Sequence, residues 1–259
     1  MKDIRIAFFD IDGTLIDIGK KLPSPAILHT LTALQQRGIR ICIATGRSPD
    51  QLPKLPGIEF DAYLTFNGSY CYTGDTVIFS NPIPRPDVQT ILDNTARMNR
   101  PLCIATVDQL SANGYDNDLA DYYKVVRLEL RVDPQFDQVV QEDVYQIMLG
   151  CRAHEYETIL EGAQGARIVA WWDRAADIIP ASGGKAVGVQ KILEHFGLSK
   201  EQAMAFGDGG NDLDMLQCVG TGVAMGNAGE ALKAAADAVC GKVSEDGVYH
   251  FCKDMGLID

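Results

Sequence analysis

In the stretch FFDIDGTLID, residues 8–17, two aspartates come directly after an apolar run. Residues 4–9, IRIAFF, are typical of a buried strand, and Asp10 and Asp12 follow it before a turn at Gly13. Two carboxylates so close together repel each other, so the pattern indicates that a cation lies beside them or that one holds a proton. An Asp-x-Asp pair after a strand also occurs as a helix cap or in a turn, so the pair alone does not distinguish a functional site from a structural motif.

Alternating helix and strand patterns continue from this stretch. A helix is predicted from Pro25 to about Arg37, followed by strands at 39–44, IRICIA, and 62–66, AYLTF. The alternation returns at residue 182, with a glycine turn, a helix and then a strand at 203–208, AMAFGD. Alternation of this kind is typical of parallel strands joined by crossover helices. The sequence therefore predicts an α/β fold with a doubly wound, mostly parallel sheet.

The pattern changes between these two segments. A proline-rich stretch, NPIPRP, leads into short strands mixed with helices, including a helix predicted at 154–163. We therefore predict that residues 82–181 form an inserted α+β domain, and that residues 1–81 plus 182–259 form the domain into which it is inserted. No clear pattern is present at 109–143, and no element is assigned there.

Composition and charge exclude several classes of function. The 259 residues carry 23 basic and 35 acidic side chains, a net charge of −12, which repels phosphate backbones and argues against nucleic acid as a partner. No apolar run approaches the roughly 20 residues needed to cross a bilayer, so no membrane partner is expected. The first ten residues are interrupted by charges and make a poor signal peptide. The oligomeric state is left open.

The cysteines indicate a reducing compartment. There are seven, an odd number, widely scattered and without a C-x-x-C pair. Several lie in strand-like runs, as Cys42 does in IRICIA. Reduced, mostly buried thiols account for this pattern, and we expect a cytoplasmic protein.

Four polar clusters fall at the predicted ends of strands or the starts of helices. They are Asp10-x-Asp12-Gly13-Thr14, Thr45-Gly46-Arg47, Lys185, and Gly207-Asp208-Gly209-Gly210-Asn211-Asp212. Sites in open parallel sheets form beyond the carboxyl ends of the strands, so clusters that are distant in sequence can meet there. The sequence therefore predicts one site built from all four clusters.

The chemistry of these clusters favours a phosphate site with a metal ion. The carboxylates are hard oxygen donors of the kind that Mg²⁺ prefers. Thr45 supplies a hydroxyl, and Gly46 supplies a backbone N–H that an anion can approach closely. Lys185 adds a compact positive charge near the predicted start of a helix. Acids, metal and anion donors together describe a phosphate site better than a sugar or peptide site.

Taken together, these motifs resemble those of a known family. The motifs D-I-D-G-T-L, T-G-R, a later lysine and G-D-G-G-N-D, in that order, are similar to those of the haloacid dehalogenase superfamily of phosphohydrolases. The position and length of the insertion resemble its C2-capped, Cof-type branch. The stretches Phe66-Asn67-Gly68 and Gly222-Val223-Ala224-Met225-Gly226-Asn227 resemble the same branch.

The resemblance implies a role for each matching residue. Asp10 would be the nucleophile that accepts the phosphoryl group, and Asp12 would protonate the leaving oxygen and then activate water. Asp10, the backbone carbonyl of Asp12 and Asp208 would hold Mg²⁺, with Asp212 behind them or on a metal-bound water. The phosphate would be bound by Ile11 through its backbone, Thr45, Gly46, Lys185 and Asn211.

The resemblance implies Mg²⁺-dependent hydrolysis of phosphomonoesters of small metabolites. Sugar phosphates are the first candidates for the substrate, and the insertion would act as a cap over it. Mg²⁺ and Lys185 would offset the repulsion between a carboxylate and a phosphate dianion. Two enzymatic alternatives stay open: a phosphomutase, and a phosphatase for one dedicated biosynthetic intermediate. A non-catalytic sensor of phosphorylated metabolites is a third alternative, although binding alone needs no acid/base pair.

Overall fold

A computed structural model describes residues 3–125 and 128–259, except for the side chain of Trp171. In the described residues the strands are β1 Ile6–Phe9, β2 Arg40–Ala44, β3 Ala62–Thr65, β4 Tyr70–Thr73, β5 Thr76–Ser80, β6 Leu102–Ala105, β7 Leu110–Ala112, β8 Gln146–Leu149, β9 Ala166–Trp172, β10 Ala175–Pro180, β11 Ala203–Gly207, β12 Thr221–Ala224 and β13 Ala238–Val239. The helices are α1 Pro25–Gln36, α2 Arg85–Arg97, α3 Asn117–Val125, α4 Phe136–Val139, α5 Tyr156–Ile159, α6 Lys185–Phe196, α7 Leu213–Cys218, α8 Glu230–Ala235 and α9 Gly247–Asp254. None of these helices combines the length and the apolar character that a membrane crossing requires.

The chain divides into two compact units. The first contains Met1–Arg47, Leu52–Ser80 and Gly184–Asp259, and the second contains Ser48–Gln51 and Asn81–Gly183. The assignment of these units to a catalytic core and a cap stays a prediction.

The first unit is built on an eight-stranded sheet in the order β13-β12-β11-β1-β2-β3-β4-β5. The strands from β13 to β3 are parallel, and β4 and β5 continue the sheet as an antiparallel hairpin. The predicted α/β class with a mostly parallel sheet is confirmed. Strand β1, the first of the described strands, lies inside the sheet, between β11 and β2.

Both faces of β1 are covered, which explains its unbroken apolar sequence. Ala7 and Phe9 pack into the cluster that includes residues of α1 and α9, whereas Ile6 and Phe8 pack into the cluster that includes residues of α6 and α7. The ring of Phe9 stacks on that of Phe206 in β11, with centroids 5.2 Å apart. The central strand is therefore fixed from both sides.

The second unit contains a five-stranded antiparallel sheet in the order β7-β6-β8-β10-β9. One apolar cluster joins this sheet to residues of α2, α4 and α5. The unassigned stretch 109–143 contains β7, α3 and α4, with residues 126–127 outside the described part of the chain. The helix predicted at 154–163 is wrong in length: a 3₁₀ turn at Ala153–Glu155 leads into α5, and Gly162 adopts a left-handed φ of 81° that ends the helical path.

Gly222 of β12 tests how closely the eight-stranded sheet of the first unit packs on its helices. A Cβ at Gly222 would lie 2.1 Å from the carbonyl oxygen of Leu216 in α7. We expect Gly222→Ala to lower the free energy of unfolding by about 1–3 kcal/mol through overpacking. Urea titration of the variant measures the change.

Gly229 provides the matched control, because a Cβ there meets no atom within 4 Å and its backbone φ of −67° suits any residue. Gly229→Ala should cost less than about 1 kcal/mol, the loss of a glycine at a helix N-cap. Equal losses for the two variants would contradict the close packing of β12 on α7.

Candidate active site

The register of three parallel strands brings the predicted clusters to one edge of the sheet. Phe9 of β1 is level with Ile43 of β2 and with Phe206 of β11. The residues that follow these strands include Asp10, Thr45 and Asp208, so their side chains are set beyond the same edge. The site predicted beyond the carboxyl ends of the strands therefore has a structural basis in this register.

Lys185, the first residue of α6, lies at the centre of this edge with a fully buried side chain. Its Nζ donates to Asp10 Oδ1 at 2.8 Å and to Asp212 Oδ1 at 2.5 Å. Burial by itself lowers the pKa of the Lys185 ammonium, but the charges of Asp10 and Asp212 outweigh that effect and raise the pKa above its usual value. The lysine is therefore a permanent buried cation between two carboxylates.

Asp10 is also buried, and burial raises its pKa well above the usual range. Lys185 opposes this rise, while Asp212 and Asp208 add to it. Positive charge beside Asp10 therefore favours its ionised form against the effect of burial.

Both oxygens of Asp212 have protein partners. Oδ1 accepts from Lys185, and Oδ2 accepts from the backbone N–H groups of Asp208, at 3.0 Å, and Gly209, at 2.9 Å. Gly207 makes room for this carboxylate, because a Cβ there would lie 2.5 Å from Asp212 Cγ. Asp212 therefore orients Lys185 and the loop that carries Asp208.

Asp208 is held by two polar side chains. Thr14 donates its hydroxyl to Oδ1 at 3.4 Å, and Asn227 donates its amide to Oδ2 at 3.1 Å and to the carbonyl of Gly13 at 2.9 Å. Gly13 has a φ of 82°, and a Cβ there would lie 2.2 Å from Asp208 Oδ2. Burial first, and then the charge of Asp212, raises the pKa of Asp208 to about 7.

The three buried or half-buried acids can hold a metal ion. Asp10, Asp208 and Asp212 each place one carboxylate oxygen within 4.8 Å of the others. A set of hard oxygen donors fits a divalent cation such as Mg²⁺, and positive charge there would oppose the effects of burial and of the neighbouring carboxylates, which raise the pKa values of Asp10 and Asp208. Asp212 accepts from the Lys185 ammonium and from two backbone N–H groups, whereas Asp208 accepts only from the neutral side chains of Thr14 and Asn227, so Asp10 and Asp208 are the better ligands.

Asp12 points away from this group and pairs with Arg47. Its side chain is 60% exposed, and Arg47 donates from Nε to Oδ2 at 2.9 Å and from Nη2 to Oδ1 at 2.6 Å. Arg47 was not among the predicted site residues, although it completes the Thr45-Gly46-Arg47 motif.

The residues predicted to bind phosphate lie on turns at the same strand ends. Ile11 is fully buried between the two aspartates, and Thr45 is buried with its hydroxyl accepting from the N–H of Arg47 at 3.2 Å. Asn211 donates from Nδ2 to Oδ1 of Asn67 at 2.9 Å, and the amide of Asn67 lies beside Gly46. Asn67 thus lies between two of the predicted clusters.

Sequence reasoning assigned no role to Asn67 or Asn227, and it did not identify Asp12 as the partner of Arg47. The motifs that carry them were noted, but each acts through a contact with a residue far away in the chain. Only the fold shows these pairings.

A family model described as haloacid dehalogenase-like hydrolase matches residues 7–252. The chain is 34% identical over 262 residues to the "Putative phosphatase YkrA" of Bacillus subtilis, covering 99% of each protein. It is 29% identical to the 5-amino-6-(5-phospho-D-ribitylamino)uracil phosphatase YitU of the same species, covering 95% of each. Among solved structures, the subclass IIB sugar phosphatase BT4131 superposes with a TM-score of 0.87 at 30% identity, covering 98% of this chain and 100% of that one.

Replacement of the buried lysine tests its place between the carboxylates. Lys185→Met leaves Asp10 and Asp212 without their shared cation, and we expect the free energy of unfolding at pH 7.5 to fall by about 3–5 kcal/mol. Urea titration in the presence of a chelator gives the value.

Lys191→Met on the same helix is the control. Lys191 is 39% exposed and pairs only across the surface with Glu194, so its loss should change stability by less than about 1 kcal/mol. A similar small effect at Lys185 would show that its charge does not hold the two acids together.

The raised pKa of Asp208 predicts a pH dependence of stability. Between its ordinary pKa of 3.8 and its folded value of about 7, the folded protein keeps a proton that the unfolded chain has released. This contribution to stability is present at low pH and is lost as the pH rises through 7. The amide in Asp208→Asn does not ionise, so the variant lacks this loss, and its melting temperature relative to the wild type, without metal, should be higher at pH 8 than at pH 5 by about 2 °C or more. The same difference in melting temperature at both pH values would contradict the raised pKa.

Proposed function

This chain belongs to the haloacid dehalogenase-like hydrolases and is a phosphatase, and we propose that it hydrolyses small phosphorylated metabolites through an aspartyl phosphate on Asp10. The observation that carries the proposal is the buried Asp10 carboxylate, hydrogen-bonded to Lys185 and grouped with Asp208. A nucleophile needs this combination of restricted access, fixed orientation and nearby positive charge.

Mg²⁺ is the cation that we propose for the site. Asp10, Asp208 and the backbone carbonyl of Asp12 would hold it, while Asp212 would keep its present hydrogen bonds behind them. The bound cation supplies positive charge that reduces the repulsion between an anionic nucleophile and a phosphate dianion. Thr14 and Asn227, which donate to the two oxygens of Asp208, would keep that ligand in position.

In the first step a carboxylate oxygen of Asp10 attacks phosphorus, and the ester P–O bond breaks as the leaving oxygen takes a proton from Asp12. In the second step water attacks the same phosphorus, Asp12 accepts a proton from the water, and the bond between Asp10 and phosphorus breaks to release inorganic phosphate. One residue thus serves first as acid and then as base.

The pairing of Asp12 with Arg47 bears on both steps. Arg47 donates a hydrogen bond to each oxygen of Asp12, the group that must accept a proton from water in the second step. To act as an acid, Asp12 must carry a proton, and this requires Arg47 to release one of the two oxygens. We therefore assign to Arg47 control over the protonation of Asp12.

The phosphate would be held by donors from three strand ends. An ammonium has three N–H donors, of which Asp10 and Asp212 take two from Lys185, and we assign the third to a phosphate oxygen. The hydroxyl of Thr45, the side-chain amide of Asn211, and the backbone N–H groups of Ile11 and Gly46 complete the proposed set.

Sugar phosphates are the substrate class that we place first. The solved structure at 30% identity is named a sugar phosphatase, and YitU is named for a substrate that carries a phosphorylated ribityl chain. Both names describe a phosphate ester on a polyhydroxylated carbon chain. A panel of hexose, pentose and polyol phosphates, assayed by release of inorganic phosphate with Mg²⁺, tests this choice. Turnover confined to phosphate esters without hydroxyl groups would overturn it.

Substitution of the nucleophile tests the mechanism. Asp10→Asn should lower kcat/KM on the best substrate by at least about 10³-fold, because the amide cannot form the covalent intermediate. Asp75→Asn makes the same change at an exposed turn and should leave the rate unchanged.

Borohydride reduction of the wild type during turnover, followed by peptide mass spectrometry, should convert position 10 to homoserine, the product expected from an acyl phosphate. Modification at another acid, or full activity of Asp10→Asn, would exclude Asp10 as the nucleophile.

A further inference from the structure

We propose that Asn67 is a positioning residue, which holds the carboxamide of Asn211 so that its N–H group, and not its oxygen, faces the bound phosphate. The inference rests on the proposed phosphate site, and it adds a residue to which neither sequence motif nor mechanism gave a role.

Asn67 lies in the middle of three consecutive residues with left-handed backbone. Phe66, Asn67 and Gly68 have φ values of 48°, 53° and 90°. Non-glycine residues in this conformation cost on the order of 1 kcal/mol or more each and persist where the surroundings hold them. A turn of this kind between β3 and β4 is therefore maintained for a reason other than local preference.

Backbone contacts fix the turn on two sides. Phe66 N–H donates to the carbonyl of Arg47 at 3.1 Å, and Asn67 N–H donates to that of Thr45 at 3.0 Å. Gly68 packs directly on the residue before Lys185, since a Cβ at Gly68 would lie 2.2 Å from the carbonyl oxygen of Gly184. The turn is thus joined to the segments that carry the Thr45 and Lys185 clusters.

The side chain of Asn67 completes the connection to a third cluster. It is 2% exposed, and its Oδ1 accepts from Asn211 Nδ2 at 2.9 Å. Its amide fills the space beside Gly46, where a Cβ would lie 3.1 Å from Asn67 Nδ2. The Asn67 carboxamide is therefore placed between two stretches that are proposed to bind one anion.

The contact decides which end of the Asn211 carboxamide is available. An amide has an oxygen and a nitrogen of similar size, and a half-turn exchanges an acceptor for two donors. With Nδ2 facing the Asn67 oxygen, one N–H is used and the second is left to donate to phosphate. Without Asn67, nothing in this contact prevents the carboxamide from turning its oxygen toward the anion, which would repel it.

Asn99 shows that the left-handed backbone does not by itself require a buried asparagine side chain. It has the same φ of 53° but is exposed and follows α2 in the second unit. Asn→Gly at either position keeps a backbone that glycine adopts freely and removes only the side chain. The pair Asn67→Gly and Asn99→Gly therefore separates the role of the side chain from that of the turn.

The measurement is the inhibition constant of inorganic phosphate, with kcat, KM and the melting temperature recorded for each variant. We expect Asn67→Gly to raise the inhibition constant and KM by about tenfold, the loss of one oriented hydrogen bond to a charged ligand, with kcat changed by less than about twofold. Asn99→Gly should leave the inhibition constant unchanged. An unchanged inhibition constant for Asn67→Gly would overturn the proposal.

A double-mutant cycle with Asn211→Ala tests whether Asn67 acts through Asn211. If it does, each single variant raises the inhibition constant by about tenfold and the double variant is no worse than either. Losses that multiply would show that Asn67 acts independently and would sink the inference while leaving the proposed phosphate site intact. If Asn211→Ala alone has no effect, it is the assignment of Asn211 to the phosphate that fails.

Asn67→Asp covers the case in which the glycine variant does not fold, because it fills the same volume and keeps an acceptor oxygen for Asn211. Its added charge weakens phosphate binding directly, so the value compared is the effect of Asn211→Ala within this background. We expect Asn211→Ala to raise the inhibition constant about tenfold in the Asn67→Asp background as well. If Asn211→Ala had no effect there, an acceptor oxygen at position 67 would not be enough to hold the Asn211 carboxamide.

Discussion

The structure around the site depends on one buried cation. Lys185 is enclosed with Asp10 and Asp212, and none of the three could be buried alone as a charged group without a large cost in solvation. The lysine also opens α6, so the helix that packs on the sheet carries the charge to the strand ends. The position of the helix and the state of the site are therefore linked, because a shift of α6 would separate the ion pairs and leave Asp10 without its cation.

The fold of the first unit could be predicted because its signals are local. The central strands are fully apolar, their ends carry glycine and aspartate, and proline and serine mark the start of α1. No element was assigned in the stretch 109–143, where β7 and α4 have only three and four residues and α3, with nine, buries one side through residues 119, 120, 122 and 123. Short elements of this kind are fixed by tertiary packing, which a single sequence does not display.

The site was predicted in its residue types and only partly in its contacts. The acids, Lys185 and Asn211 were expected at one sheet edge, and the strand register accounts for this. The partners Arg47, Asn67 and Asn227 were not assigned, because each is defined by a hydrogen bond to a residue 19 to 144 positions away. Motifs identify chemically competent residues, whereas the groups that orient them emerge only when distant turns meet.

The position of β1 has a consequence for biosynthesis. Ile6 of this first strand pairs with Ala203 of β11, and Asp208 and its partner Asn227 come later still. On the ribosome, the strand that precedes Asp10 emerges long before one of its two neighbours exists. The nascent chain must therefore keep an apolar edge unpaired until most of the polypeptide has been made, and a truncated product would carry Asp10 without Lys185, Asp208 and Asp212. Premature termination or slow translation of the last third of the message would be expected to yield aggregation-prone fragments and no partly active enzyme.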